Sequence, residues 1–367
     1  MKRRVVLALL AIFLAACQGP PLSEALPPSE VTIVAPAVSP SPTATPAATL
    51  TPSATPPGPL FPYTIAGLRS RPYPGGELRL LSLLEETADY TRYLVDYPSD
   101  GLTITGILQI PPGEGPFPVI VMNHGFFPRG EYASGDGTYR AAAVLNRAGY
   151  LTISPDYRSW GGSDVGYSLF HTGLVADVLN LVSSLPSLPL ADSSRIGMWG
   201  HSMGGGIATR VLTVDDRIRA AFLYAPNSAD DADLVARWGT GCIGDVDPAG
   251  CPHADLLPSS LAPNLVQAYL EAASDPAMLV QIAPIYHLEY VDAPVQIHIG
   301  SADGQSISET PPEWSAKLYQ AMLAAGVNVE YFVYPGQGHS FRGADWDLMM
   351  SRAVAFFDRY VKGENRP

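Results

Sequence analysis

The 367-residue chain is long enough for a single α/β domain with a substantial core and additional terminal segments. Its 35 Asp and Glu residues outnumber its 22 Lys and Arg residues, so its formal net charge is −13 at pH 7. An acidic chain repels polyanions, and this charge argues against nucleic acid or an anionic membrane surface as a partner.

The N-terminal residues carry the pattern of an export signal. Three cationic residues at positions 2–4 precede an apolar run over 5–16, which is too short to span a bilayer as a mature helix. Small residues then lead into Cys17, and this pattern resembles the bacterial lipoprotein signal. The resemblance implies that residues 1–17 are a signal peptide, that Cys17 is lipidated, and that the exported protein is tethered to a cell envelope membrane. An ordinary signal peptide that contains a cysteine is the alternative.

Residues 18–62 predict a disordered tether ahead of a folded domain over 63–367. Thirteen of these 45 residues are proline, mixed with Ser, Thr and Ala. Such a segment buries too little apolar surface to fold, and its prolines keep it extended. We therefore expect a spacer between the membrane and the domain.

The other two cysteines, Cys242 and Cys251, are nine residues apart. In an oxidising compartment such a pair is expected to form a disulfide, which would stiffen a local excursion of the chain. The alternative is a metal site that adds His253, Asp245 and Asp247, but this spacing matches no zinc pattern. We predict the disulfide and no metal.

Strand-like and helix-like segments alternate through the domain, which predicts an α/β fold. Strands are predicted over 91–113 (a pair joined by a turn), 118–125, 150–158, 195–202, 218–226, 293–303 and 327–336. Helices are predicted over 138–149, 167–185, 203–214, 314–326 and 347–361. Repeated strand–helix units give a mostly parallel sheet with helices on both faces.

One long segment, residues 227–285, interrupts this alternation between two core strands. It is rich in Asp, Pro and Ala, and it contains both cysteines of the predicted disulfide. An excursion of this size is typical of a lid or cap over a binding site.

The stretch "GMWGHSMGGG" places Ser202 where a buried strand meets a helix. Gly200 and Gly204 flank this serine, so the chain can turn sharply and present the hydroxyl without a neighbouring side chain in the way. This strand–turn–helix context is typical of a catalytic nucleophile. A glycine-rich corner without chemistry is the alternative.

A serine nucleophile needs a histidine base, and that histidine needs a carboxylate to orient it. His339 lies in the loop after the final predicted strand, and Asp303 lies in the turn after an intervening strand. The chain order Ser202, Asp303, His339 is the one expected for a triad on this kind of sheet. Taken singly, a loop Asp or a loop His is more often an ordinary surface residue.

An oxyanion hole would complete such a site with two backbone N–H donors. The amide of Met203, directly after the nucleophile, is the first candidate. The second is the amide of Phe126 in "HGFF", which follows the strand over 118–123. We assign supporting structural roles to His124 and, in the stretch "PDYRSWGGSD", to Asp156 and Arg158.

The motifs "YPSDGLTITGILQIPPGEGPFPVIVMNHG", "PDYRSWGGSD", "GHSMGGG", "GSADGQS" and "PGQGHSF" resemble the catalytic domain of the prolyl oligopeptidase and acylaminoacyl peptidase family. The resemblance covers about residues 90–365 and implies an α/β-hydrolase fold with no cofactor. It also implies a serine-type peptidase or a related acyl hydrolase. Met203 stands where many peptidases of that family have tyrosine, which favours their esterase-like relatives.

These observations favour an exported serine hydrolase that cleaves a small ester or peptide through an acyl-enzyme intermediate. A peptidase is the first form of this hypothesis, and a carboxylesterase or lipase-like esterase is its alternative. An inactive hydrolase fold that serves as a surface-binding lipoprotein is the second alternative, because a fold alone does not prove an activity.

Overall fold

The computed structural model describes residues 58–363. Cys17, the predicted signal peptide and most of the predicted tether lie outside these residues. Within residues 58–363, no helix is both long and apolar enough to cross a membrane. The last predicted tether residues belong to the folded region, since Leu60 is buried in a cluster with Leu169 and Phe170. The boundary at 62 is therefore a few residues late.

A nine-stranded sheet forms the centre of the described region. Its strands are β1 (Arg79–Glu86), β2 (Thr91–Ser99), β3 (Leu102–Ile110), β4 (Phe117–Asn123), β5 (Leu151–Pro155), β6 (Ala191–His201), β7 (Ile218–Tyr224), β10 (Val295–Gly300) and β11 (Val329–Tyr334). They lie in the order β1-β2-β3-β5-β4-β6-β7-β10-β11. In this spatial order, the neighbours β1, β2, β3 and β5 pair antiparallel. The neighbours β5, β4, β6, β7, β10 and β11 pair in parallel. The predicted, mostly parallel sheet is confirmed.

Helices cover both faces of this sheet, as the alternating pattern predicts. They are α1 (Ile65–Ser70), α2 (Tyr139–Arg147), α3 (Thr172–Ser184), α4 (Met203–Val214), α8 (Pro312–Ala324) and α9 (Gly343–Phe357). Side chains of α3, α4 and α8 pack into a core cluster with residues such as Val121 and Leu223. Side chains of α2 and α9 pack with the neighbouring residues of the same strands, such as Ile120 and Phe222. Because successive strand residues point to opposite faces, each buried strand supplies both clusters.

Two elements differ from the sequence-based prediction. Strand β1 was not predicted, because it is an exposed edge strand whose irregular register removes the apolar–polar alternation. Helix α3 begins at Thr172 and not at 167, because Phe170 and His171 have positive φ angles of 50° and 61°. A left-handed backbone cannot continue an α-helix.

The insertion, residues 227–285, lies between β7 and β10. It contains α5 (Asp231–Trp238), α6 (Pro263–Ala273) and α7 (Pro276–Ile282), with a two-stranded sheet of β8 (Cys242–Ile243) and β9 (Leu256–Leu257). A disulfide joins Cys242 to Cys251, which confirms the predicted pairing. The alternative metal site loses both of its thiolates to this bond.

Candidate active site

Ser202 occupies a sharp turn between β6 and α4. Its φ is 56° and its ψ is −123°, a left-handed conformation that a residue with a side chain rarely adopts. Neighbouring glycines make the turn possible by close backbone approach. A Cβ on Gly200 would lie 2.3 Å from the Gly204 carbonyl oxygen, and a Cβ on Gly204 would lie 2.1 Å from the Asn123 carbonyl oxygen. The spacing of glycine around Ser202 is thus a steric requirement.

Backbone hydrogen bonds hold this turn in place. The Ser202 amide donates to the Tyr224 carbonyl at 3.0 Å, and the Ser202 carbonyl accepts from the amides of Gly205 and Asn227, each at 2.9 Å. Ser202 is 8% exposed, and its Oγ makes no hydrogen bond to any residue within 58–363. The hydroxyl is therefore held at the surface of a cleft and is not engaged by structural partners.

Asp303 and His339 are brought together by the ends of two neighbouring parallel strands, β10 and β11. His339 Nδ1 lies 2.9 Å from Asp303 Oδ2 and 3.1 Å from Oδ1. The Asp303 carboxylate is buried, and it also accepts hydrogen bonds from Gly304 N, Thr310 N and Thr310 Oγ1 at 2.7, 3.2 and 3.0 Å. These donors hold the carboxylate in one orientation beneath the imidazole.

Ser202 and His339 line the same cavity, which has a volume of about 560 Å³. No hydrogen bond joins Ser202 Oγ to His339 in the described part of the chain. Hydrogen bonds between a nucleophile and its base are often long in the free protein and tighten when substrate binds. Two of the three predicted triad residues thus line one cavity, and the third, Asp303, contacts His339 without lining it.

His201, the residue before the predicted nucleophile, supports the loop that carries His339. Its Nε2 donates to the His339 carbonyl at 3.0 Å, and its ring stacks on Tyr224 with centroids 4.4 Å apart. Desolvation by burial, followed by repulsion from His339, lowers the pKa of His201 to about 3. A neutral imidazole with a proton on Nε2 is suited to this contact. The sequence offered no signal for this role beyond the motif position.

The loop after β4 approaches Ser202 closely, as the predicted oxyanion hole requires. A Cβ on Gly125 would lie 3.2 Å from Ser202 Cβ, which is tighter than an ordinary contact, so glycine favours this close approach. Phe126 and Met203 both line the cavity. Neither backbone amide donates a hydrogen bond to any residue within 58–363. Both donors are therefore available at the cavity, and their role in stabilising an oxyanion stays a prediction.

His124, one of the predicted supporting residues, and Trp160 contact this loop. His124 is fully buried, with Nδ1 2.6 Å from the Gly125 carbonyl oxygen and Nε2 3.2 Å from the Asp156 carbonyl oxygen. Burial lowers the pKa of His124. Trp160 does not line the cavity, but its Nε1 donates to the Phe127 carbonyl at 3.0 Å. These contacts position the loop and have no direct access to substrate.

The insertion supplies one wall of the cavity. The cavity wall consists of Gly125, Phe126, Phe127, His171, His201, Ser202, Met203, Asn227, Trp238, Pro252, His253, Ala254, Ile307, Ser308, His339 and Ser340. Five of these residues, from Asn227 to Ala254, belong to the insertion. The insertion thus contributes to the cavity wall, and its function as a lid stays a prediction.

Two buried charged residues fix the insertion to the domain, and the sequence analysis did not identify either. Arg129 donates to the carbonyl oxygens of Cys251, His253 and Ala254 at 3.2, 2.6 and 2.9 Å. The Asp255 carboxylate accepts from the amides of Phe170 and His171 and from other donors. Both contacts join residues that are far apart in the sequence, so no local sequence pattern could predict them.

Comparison with known proteins agrees with this architecture. A family model described as "Alpha/beta hydrolase family" matches residues 78–358. The acylamino-acid-releasing enzyme of Arabidopsis thaliana is 27% identical over 234 residues, which cover 61% of this chain and 28% of that protein. The lysophosphatidylserine lipase ABHD12 of Xenopus tropicalis is 34% identical over 96 residues, which cover 26% of this chain and 23% of that protein. The chain spans less than half the length of the curated relatives it matches.

Among solved structures, acetyl xylan esterase 1 from a Thermoanaerobacterium species is similar in fold. The match has a TM-score of 0.54 and 18% sequence identity, and it covers 81% of this chain and 90% of that chain. At this identity the likeness concerns the fold alone.

Proposed function

The chain belongs to the alpha/beta hydrolase family, and from this premise we propose that it is a serine hydrolase acting on carboxylic esters or amides. One observation carries the proposal: Ser202, in a strained turn at a strand end, shares a cavity with His339, and His339 is hydrogen-bonded to the buried Asp303. Residues held in such conformations are concentrated at active sites. The three side chains have the roles of nucleophile, base and orienting carboxylate.

In the proposed reaction Ser202 Oγ attacks the acyl carbonyl carbon while His339 Nε2 takes the hydroxyl proton. Asp303 holds the proton on His339 Nδ1 and stabilises the imidazolium that forms. The amides of Met203 and Phe126 donate to the oxyanion. The protonated His339 then gives its proton to the leaving alcohol or amine, which leaves an acyl ester on Ser202. Water, deprotonated by His339, cleaves this ester and restores the free serine.

The cavity favours esters over peptides with a free amino terminus. Within residues 58–363, no Asp, Glu, Lys or Arg lines the cavity wall. A peptide with a free amino terminus would therefore find no carboxylate to neutralise its ammonium group. Similarity to the acylamino-acid-releasing enzyme supports a peptidase as the second candidate, acting on peptides whose amino terminus is blocked.

A matched panel of substrates tests this proposal. We expect the wild-type protein to hydrolyse p-nitrophenyl esters of short apolar acids and to react with a fluorophosphonate probe. Peptidyl p-nitroanilides, with free or acetylated amino termini, are assayed beside them. Turnover of the anilides at rates comparable to those of the esters would select the peptidase. Folded protein that neither turns over any substrate nor reacts with the probe would contradict the proposal and support a binding lipoprotein.

We also propose that Cys17, which lies outside the described residues, anchors the protein to a membrane of the cell envelope. The cationic residues at 2–4, the apolar run at 5–16 and the small residues before Cys17 support this proposal. Cys17→Ser is expected to abolish incorporation of labelled palmitate in a bacterial host and to move the protein out of the membrane fraction. A protein lacking Cys242 and Cys251 serves as control and should keep the label. Equal labelling of the Cys17 variant would refute the anchor.

A further inference from the structure

Asn227 lies next to the proposed nucleophile, although no role has yet been assigned to its side chain. It follows strand β7 by three residues, and its backbone amide donates to the Ser202 carbonyl at 2.9 Å. The residue is only 3% exposed and forms part of the cavity wall. Its backbone is thus fixed next to Ser202 at the start of the insertion, and the residue contributes to the cavity wall there.

The side-chain amide of Asn227 lacks the hydrogen bonds that a buried amide normally makes. Its Oδ1 is buried without a hydrogen-bond partner, and its Nδ2 makes no hydrogen bond to a residue in the described range 58–363. Oδ1 is turned toward Gly206, where a Cβ would lie 1.6 Å from it and 3.2 Å from Nδ2. With Oδ1 turned toward Gly206, the donor Nδ2 is the part of the amide left for a molecule in the cavity, and most polar side chains of buried residues do have a partner.

Gly206 indicates that this orientation is built into the structure. Glycine inside a helix is less favourable than alanine, yet position 206 lies within α4. A larger residue at 206 would have to displace the Asn227 side-chain amide from its present position. Gly206 therefore leaves room for this orientation of the amide.

The rest of the cavity limits the kind of molecule that this amide could meet. Its walls are largely apolar, with Phe126, Phe127, Met203, Trp238 and Ile307 among the lining residues. Among residues 58–363, no Asp, Glu, Lys or Arg contributes to the lining. A charged substrate group would lose its hydration without gaining an ionic partner, whereas a neutral apolar group gains from burial.

Resting on the proposed function, we propose that Asn227 is a specificity-determining residue that donates a hydrogen bond to an uncharged oxygen of the substrate's acyl group. The substrate class is an uncharged ester whose apolar acyl group carries an ether, hydroxyl or carbonyl oxygen within a few bonds of the scissile carbonyl. The adjacency of the two residues sets this limit, since the backbone N–H of Asn227 is hydrogen-bonded to the Ser202 carbonyl oxygen. A hydrocarbon acyl group of the same size leaves the amide unsatisfied.

Two nearly isosteric esters test this proposal at pH 7.5. p-Nitrophenyl methoxyacetate differs from p-nitrophenyl butyrate by one ether oxygen in place of one methylene group. The kcat/KM for the methoxyacetate is divided by the kcat/KM for the butyrate. This ratio is then divided by the same ratio of their rates of hydrolysis by hydroxide, which removes the difference in intrinsic reactivity. The wild-type protein should have a corrected ratio above one, and Asn227→Leu should lower it about 3- to 10-fold, the range expected for one hydrogen bond.

Gly206→Ala provides an independent variant, because it leaves the Asn227 residue in place but forces its amide to move. The same loss of the corrected ratio is expected, and alanine does not otherwise disfavour the helix. A third ester, the p-nitrophenyl monoester of glutaric acid, should have a kcat/KM at least about 10-fold below that of the uncharged pentanoate, since no cation lines the cavity.

The outcomes separate this proposal from the proposed function. An unchanged corrected ratio in Asn227→Leu and Gly206→Ala, with fluorophosphonate labelling retained, would overturn the role of Asn227 and leave the serine hydrolase intact. Equal turnover of the charged and uncharged esters would overturn the substrate class. Failure of the proposed function itself would be seen in the wild-type protein, as absence of both ester turnover and probe labelling.

Discussion

Ser202→Ala is expected to reduce kcat for ester hydrolysis by about 10⁶-fold where chemistry limits the rate. The reason is that no other hydroxyl occupies the strained turn between β6 and α4 that presents Oγ to the cavity. Ser308 and Ser340 also line the cavity, but they lie in loops outside this turn. Steady-state kinetics on the best ester of the panel measures the effect, and fluorophosphonate labelling should disappear in parallel.

Ser351→Ala is the matched control, because Ser351 is an exposed serine on α9 whose hydroxyl bonds only to its own helix. This variant should retain wild-type turnover and labelling. Removing a single Oγ leaves the fold of the Ser202 variant unchanged, which circular dichroism can verify. Retention of probe labelling at the wild-type rate by Ser202→Ala would refute the assignment of the nucleophile.

Asp303→Asn is expected to reduce kcat by about 10⁴-fold, the size of the effect known for this change in a serine protease triad. Oδ1 of Asp303 accepts hydrogen bonds from the amides of Gly304 and Thr310. An asparagine oxygen would take this position, which places its NH₂ group where Oδ2 now faces His339 Nδ1. His339 would then carry its proton on Nε2, where it could no longer accept the proton of Ser202.

The measurement for Asp303→Asn is the dependence of kcat/KM on pH, beside the kinetics at pH 7.5. An asparagine that selects the wrong tautomer should lower activity throughout the neutral range, with binding of the ester much less affected. Asp347→Asn, which changes an exposed carboxylate on α9, is the control and should be silent. A loss below about 10-fold in Asp303→Asn would show that Asp303 does not orient the base.

Much of the fold follows from local pattern. Strands β4, β7, β10 and β11 and the C-terminal half of β6 are short, largely apolar runs followed by turns, and each was predicted within a few residues. Strand β1 could not be predicted in this way. Its leucines at 80, 81, 83 and 84 are exposed, so they follow no alternation between a core face and a solvent face.

The start of α3 is a second feature that the local sequence pattern could not predict. The sequence over 167–171 has the apolar character of the helix that follows it. In the fold, the Asp255 carboxylate of the insertion binds the amides of Phe170 and His171 and fixes them outside the helix. A residue more than eighty positions away in the sequence therefore sets where α3 begins. Here a tertiary contact overrides the local helix propensity.

The local sequence patterns were sufficient to predict the order of strands and helices. This order also located the loops that carry Ser202, Asp303 and His339. Chemistry at the ends of parallel strands can be read this way, because the carboxyl ends of such strands meet at one edge of the sheet. Only the tertiary structure decided what surrounds these residues: the His201 contact to the His339 loop, the Thr310 donors to Asp303, and the unsatisfied amide of Asn227. In each case, whether a polar group has a partner depends on residues that are far apart in the sequence. Hydrogen bonding requires distances and angles that exist only once the chain is packed.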